Sequence, residues 1–300
     1  MEKLDYKHCL NLQNATFTRI EHADATVAAV YKITRINGTH AILKICAQPH
    51  HYARELYFLN FFANILPVPR ILDIVQSKAG IDGAILMEYL PGNLITAQEF
   101  TGELAYCIGQ LLARIHSNHA PGYGDFIKPN SLTADPRSAF IQKFNEGLDE
   151  CRNHLPDTLI AQCQTYFYTH LYLLDAADSP RIVHSDFRLG NILIHHGKVS
   201  GIIDWSSARA SFAQEDFCFL YREKLPLSSE GKNSFLAGYA TVRPVPDYES
   251  IMPLLLFHKA VTTVGFTVKR GTWNTSNAGI YQTNSQLLRE LLKMGGCENS

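Results

Sequence analysis

The sequence predicts an α+β protein in two lobes. Residues 1–90 form an antiparallel β lobe with one helix, and residues 91–300 a larger, mainly helical lobe. Three observations carry this. Up to Tyr89, β-branched and aromatic residues come in short runs separated by turn pairs such as Asn37-Gly38. Beyond Pro91-Gly92 the apolar period changes to three and four. Late in the chain, apolar runs bracket a dense polar cluster between Ile182 and Trp205.

Bulk properties narrow the function classes. At 300 residues, 46% hydrophobic and 18% charged, the chain is an ordinary globular protein able to bury a sizeable core. A net charge of −1 gives no field to recruit nucleic acid or an anionic membrane. The N-terminus is polar and unlike a signal peptide, and no apolar run reaches membrane-spanning length. The seven cysteines are scattered, without any Cys-x-x-Cys. They read as thiols in a reducing compartment, which makes the expected location cytoplasmic. The adjacent pairs His50-His51 and His195-His196 diverge on any regular element, so they argue against zinc.

In chain order, Ala15 to Ala47 reads as strands, with Thr26–Ile36 and Thr39–Cys46 forming a hairpin about Asn37-Gly38. Lys44 lies among buried-looking apolar residues and needs a counter-charge or a phosphate. Glu55 follows eleven residues later, on an amphipathic helix. Pro67–Val75 and Ala84–Tyr89 give two further strands, the second stopping at Pro91-Gly92, a natural lobe boundary. Leu104, Cys107, Ile108, Leu111, Leu112 and Ile115 mark a buried helix ending near His116. Helices are expected over Arg137–Leu155 and Pro156–Ala176, from Glu230 onward, and over Leu254–Val268. Ile95 to Pro180 holds ten acids and five bases, a local net of −5. That excess is either a solvated helix face or a grip for a polyamine.

The chemistry concentrates in Ile182-Val-His184-Ser-Asp186-Phe-Arg188-Leu-Gly-Asn191-Ile-Leu-Ile194 and in Gly201-Ile-Ile-Asp204-Trp205. Asn191–Ile194 and Val199–Ile203 make a hairpin through the turn His195–Lys198, which brings Asn191 beside Asp204. Those two supply the hard oxygen ligands that Mg²⁺ prefers. Asp186 is left to orient a hydroxyl and accept its proton. His-x-Asp-x-x-x-x-Asn followed by a metal-binding aspartate is the layout of phosphoryl transfer.

These residues resemble the aminoglycoside phosphotransferase and choline kinase-like family, the small-molecule branch of the protein-kinase-like fold. Ser185 stands where the family's loop usually has glycine. The resemblance implies ATP and Mg²⁺ as cofactors and a small-molecule hydroxyl compound as acceptor. It implies that Lys44 binds the nucleotide phosphates, that Glu55 positions Lys44, and that the Glu88 carbonyl and Leu90 amide hold adenine. By the same resemblance Asn191 and Asp204 hold the metal and Asp186 is the catalytic base; Arg188 stands where relatives often have a histidine, and its guanidinium fork suits the γ-phosphate. His116 and Asp216 are then structural, Asp216 bracing the catalytic loop. The family's phosphate loop is glycine-rich, whereas Phe17–Val27 contains no glycine, only small residues such as Ala23, Ala25 and Thr26. Two other readings use the same machinery: a nucleotide-binding pseudokinase acting as an interaction module, and a protein kinase. The second would need a long activation segment, and none follows Asp204.

Overall fold

The computed structural model describes residues 3–20, 28–78, 81–222 and 227–295. The glycine-free loop, with Ala23, Ala25 and Thr26, lies outside the described residues.

A short helix α1 (Lys3–Cys9) precedes the strands β1 (Thr16–Arg19), β2 (Ala28–Thr34) and β3 (His40–Cys46). After helix α2 (Pro49–Phe62) come β4 (Ile71–Val75) and β5 (Gly83–Glu88), completing an antiparallel sheet of order β1-β2-β3-β5-β4. Gly38 takes φ 79° in the turn between β2 and β3, the left-handed backbone that the Asn-Gly pair supplies cheaply. The strand expected from Pro67 begins only at Ile71, since Pro67 and Pro69 lack the amide donors a ladder needs. One sheet face packs on α1, burying Tyr6, Leu10, Ile33, Leu43 and Leu86. The other carries α2.

Two-residue strand β6 (Asn93–Leu94) leads to α3 (Gly102–His116), α4 (Pro136–Glu150) and α5 (Asp157–His170). The last two are shorter than the sequence indicated. Asn153 turns the chain at φ 63° after α4. Leu171–Ala176 continues past α5 as a tighter 3-10 helix. Then follow β7 (Arg181–Val183), β8 (Ile192–His195), β9 (Lys198–Ile202) and β10 (Arg209–Ser211). β10 pairs with β7, and β6 with the β8–β9 hairpin. α6 (Phe219–Arg222), α7 (Ser229–Ala240), α8 (Met252–Lys269) and α9 (Ala278–Met294) close the chain.

Two glycine contacts set the helix packing that positions the site. A Cβ at Gly109 of α3 would lie 2.0 Å from the Phe235 carbonyl oxygen, and one at Gly238 of α7 2.0 Å from that of Tyr106. The α3 and α7 backbones are therefore in direct contact. Gly265 of α8 meets Gly147 of α4 in the same way, with 2.3 Å to the Gly147 carbonyl oxygen.

Candidate active site

The loop after β7 is held from below by one buried carboxylate. Asp216, in the 3-10 helix Ala213–Cys218, accepts the backbone amides of His184 and Ser185, both at 2.7 Å. It also contacts His116 Nε2 at 3.1 Å. Burial favours the neutral acid, but the hydrogen bond from His116 and the two amides keep Asp216 ionised, below the ordinary carboxylate range. Burial likewise keeps His116 neutral. Because an ionised carboxylate only accepts, the His116 proton belongs on Nε2, and Nδ1 accepts from the Tyr239 hydroxyl at 2.9 Å. The α3–α7 crossing that the two glycines permit brings this pair together. His116 and Asp216 thus occupy the bracing positions expected of them.

Above that brace Ser185 takes φ 65°. The turn aims the Asp186 side chain outward, where it stays 39% exposed. Asn191 returns across the loop, its Nδ2 donating to the Asp186 carbonyl at 2.8 Å and to Asp186 Oδ2 at 2.9 Å. Arg188 Nε reaches the same Oδ2 at 3.4 Å. The Arg188 guanidinium lies over Gly190, where a Cβ would come within 2.4 Å of Nη1. Asp186, Arg188 and Asn191 therefore form one contact group.

The hairpin then carries Asp204 to that group. Ile192 pairs with Ile202, and the Ile203 amide donates to the Asn191 carbonyl at 3.0 Å. The turn is made by His196 and Gly197 at φ 50° and 73°. Asp204 sits in the left-handed region at φ 65°, with Ser206 Oγ donating to its Oδ1 at 2.7 Å. On that oxygen also lands Lys44 Nζ, at 2.8 Å, while the same ammonium holds Glu55 Oε2 at 2.8 Å. Burial disfavours the Lys44 charge, but the Asp204 and Glu55 carboxylates outweigh it and hold the ammonium firmly protonated. Burial also opposes the Asp204 charge, yet Lys44 holds its pKa well below the usual carboxylate range. Glu55 is raised by burial, with Lys44 countering. One ammonium is thus shared between two carboxylates, Glu55 buried and Asp204 about a third exposed.

Trp205 fixes the triad's geometry. Its indole packs on Phe62 at 4.7 Å, on His184 at 4.6 Å and on Phe58 at 6.3 Å between ring centroids. One side chain thus ties α2, which carries Glu55, to the catalytic loop and to Asp204. The sequence marked Trp205 only as the end of a strand. Ser206 and Gly190 carried no signal, being common residue types whose meaning depends on what folding sets beside them.

The segment between sheet and helices contains the other two expected residues. The Glu88 amide donates to the Arg70 carbonyl at 2.8 Å, and the Glu88 side chain pairs with Arg70 at 3.1 Å. Leu90 instead packs inward, its Cδ1 2.4 Å from where a Gly201 Cβ would sit. Gly92, at φ 119°, lies against the Ile194 carbonyl, and Ser200 Oγ donates to Pro91 O at 2.7 Å. The hinge is thereby pinned to the β8–β9 hairpin that bears Asn191 and Asp204.

The acidic stretch is largely neutralised. Asp125 pairs with Arg54, Glu146 with Lys143, Asp149 with Arg152, and Glu150 with Lys269. Asp135 and Asp175 share Arg137, and Asp178 meets Arg243. No helix among the described residues is long and apolar enough to cross a membrane.

The model of the phosphotransferase enzyme family, APH, matches residues 20–254. A homoserine kinase from Gluconobacter oxydans (strain 621H) is 28% identical over 173 residues, covering 55% of this chain and 52% of that protein. The chain thus matches about half the length of that relative. A thermostable mutant of aminoglycoside phosphotransferase APH(4)-Ia, in ternary complex with AMP-PNP and hygromycin B, superposes with a TM-score of 0.74 at 14% identity. That match covers 98% of this chain and 99% of that one. The amicoumacin kinase hAmiN in complex with AMP-PNP, Ca2+ and Ami gives a TM-score of 0.70 at 16% identity, covering 98% and 94%. At such identities the superpositions establish the fold.

Proposed function

The chain belongs to the phosphotransferase enzyme family, and from that premise we propose that it moves the γ-phosphoryl group of ATP, with Mg²⁺, to a hydroxyl of a small molecule. The acceptor class is an aminoglycoside-like compound or another amino or sugar alcohol. Two lobes divided at Leu90, 1–90 and 91–300, are part of this proposal, with the nucleotide between them.

One observation supports the reading above all others. A hairpin joins the Lys44–Glu55–Asp204 triad to the Asp186–Arg188–Asn191 group through the Ile203 to Asn191 backbone bond. Phosphoryl transfer asks a protein for positioning and charge stabilisation, with little covalent chemistry. Lys44, held charged and fixed by Glu55, would bind phosphate oxygens. Arg188 offers a planar fork suited to the transferred group. Asp186 Oδ atoms would accept the proton of the attacking hydroxyl, and Asn191 Nδ2 holds that carboxylate in place. The Glu88 carbonyl and Leu90 amide would meet the base.

The donor set fits Mg²⁺. Asn191 has committed its amide nitrogen to Asp186, so only its carbonyl oxygen remains to offer. Asp204 is a carboxylate kept ionised. Both are hard oxygen donors, and the partly exposed Asp204 carboxylate suits a divalent cation. When bound, Mg²⁺ would supply positive charge to offset the negative charge that develops in the transfer.

The pairing of most acids between Ile95 and Pro180 supports a solvated face over a polyamine grip. One similar protein is named for homoserine, and another is an aminoglycoside phosphotransferase seen in complex with hygromycin B. A panel of hydroxyl compounds spanning amino alcohols, sugars and aminoglycosides, assayed for ADP release with Mg²⁺-ATP, tests the proposal. Release stimulated by at least one compound, with a product heavier by one phosphate, is expected. Calorimetry that shows no Mg²⁺-ATP binding would refute it.

A further inference from the structure

The backbone turn that presents Asp186 depends on two groups, and only one of them, Asp216, belongs to the brace described above. The second comes from α8. Lys259 Nζ donates to the Ser185 carbonyl oxygen at 2.8 Å, and Lys259 is half-buried. Ser185 is therefore clamped at both ends: its amide by Asp216 at 2.7 Å and its carbonyl by Lys259. The clamp has a conformation to enforce. Ser185 stands at φ 65°, where a side chain crowds its own backbone. Its buried hydroxyl has no hydrogen-bond partner among the described residues, a further cost with no local return.

We infer that Lys259 is a positioning residue for catalysis, holding the Ser185–Asp186 peptide in the left-handed turn that aims the Asp186 carboxylate. The inference rests on the proposed role of Asp186. A glycine at 185 would adopt φ 65° without strain and would not need the clamp. Lys259 thus compensates for serine at this position. Its ammonium reaches in from a helix whose own place is set by the close Gly265–Gly147 contact with α4.

Lys259→Met, Lys259→Arg, Ser185→Gly and the double variant Lys259→Met/Ser185→Gly test it. Two readouts are used: hydrolysis of Mg²⁺-ATP with water as acceptor, and hydrogen exchange of the peptide 183–193. Lys259→Met is expected to lower kcat about tenfold or more with KM for ATP within about twofold, the signature of a misaimed catalytic group. Exchange of the peptide should rise about fivefold or more. Lys259→Arg should retain most of the rate. Adding Ser185→Gly to Lys259→Met should recover most of the lost rate, because glycine takes the turn unaided. A kcat and an exchange rate unchanged in Lys259→Met would overturn the inference, as would a double variant no faster than Lys259→Met. If the unmodified protein does not hydrolyse ATP with water as acceptor, the phosphotransferase reading is decided by the acceptor panel above, and the exchange measurement alone still decides for or against the clamp.

Discussion

At the scale of single residues, Lys44 is where the β sheet meets the catalytic loop, because one ammonium satisfies Glu55 from α2 and Asp204 from the hairpin. Arg188 is the neighbour whose contribution separates most cleanly. It touches Asp186 Oδ2 and lies over Gly190, beside the carboxylate that would receive the hydroxyl proton. Arg188→Ala is therefore expected to cut turnover by more than about tenfold, with Mg²⁺-ATP affinity nearly unchanged, since it removes charge stabilisation of the group in flight. Steady-state kinetics beside calorimetry checks this, and unchanged turnover would retire the role. Gly190→Ala should act in the same direction, because its Cβ needs the space the guanidinium fills. Lys44, Glu55, Asp186, Asn191 and Asp204 were legible in the sequence because charged and amide side chains set among apolar runs require a reason. Gly190 and Lys259 were not, since Lys259 works through a contact 74 residues away and Gly190 through the absence of a side chain; Ser206 contacts Asp204 two residues before it but is too common a residue type to stand out.

Among elements, the crossing of α3 and α7 decides whether the brace under the catalytic loop exists. Gly238→Ala would drive a methyl into the Tyr106 backbone, which cannot yield as a side-chain end can. We expect it to destabilise the protein by about 2–4 kcal/mol, measured by urea unfolding, and to lower activity through the His116–Tyr239 contact. A second element-scale effect concerns α8. His258 is buried against Phe140, with ring centroids 3.9 Å apart and Nε2 donating to the Phe140 carbonyl at 3.1 Å. Burial, aided by Arg209, lowers its pKa to about 3 from an ordinary 6.5. The folded state thus binds this proton less readily than the unfolded chain. Its contribution is fully present above pH 6.5 and is lost progressively as the pH falls toward 3. Over that window the loss approaches about 5 kcal/mol. His258→Gln should flatten stability against pH between those limits, and an unchanged slope would contradict the assignment. The period of α8 and α3 was plain in the sequence. The glycines that set their neighbours' distance were not, because a helical glycine looks like a weak point until a second backbone is found against it.

For the molecule as a whole, the hairpins and the helix-rich half followed from turn pairs and from the change of period at Pro91-Gly92. What escaped the sequence was the pairing of β6 with β8 and of β10 with β7, the cover that α1 gives the sheet, and the bounds of α9 within the helical pattern from Glu230 onward. Short strands leave little pattern, and α9 carries a polar surface that hides its apolar stripe. The net −5 between Ile95 and Pro180 misleads when summed, because Arg54 and Lys269, partners of Asp125 and Glu150, lie outside that stretch. Trp205 is the link across scales, a single ring joining α2 to the loop and so the sheet to the helices. The central claim is that folding gathers Lys44, Asp186, Asn191 and Asp204 around one nucleotide. Phosphoryl transfer from Mg²⁺-ATP by Asp186→Asn, compared with the unmodified protein at equal nucleotide occupancy, tests it most directly. A rate lower by about a hundredfold or more, with occupancy retained, is the result expected of a lost base. Transfer at the unmodified rate would contradict it.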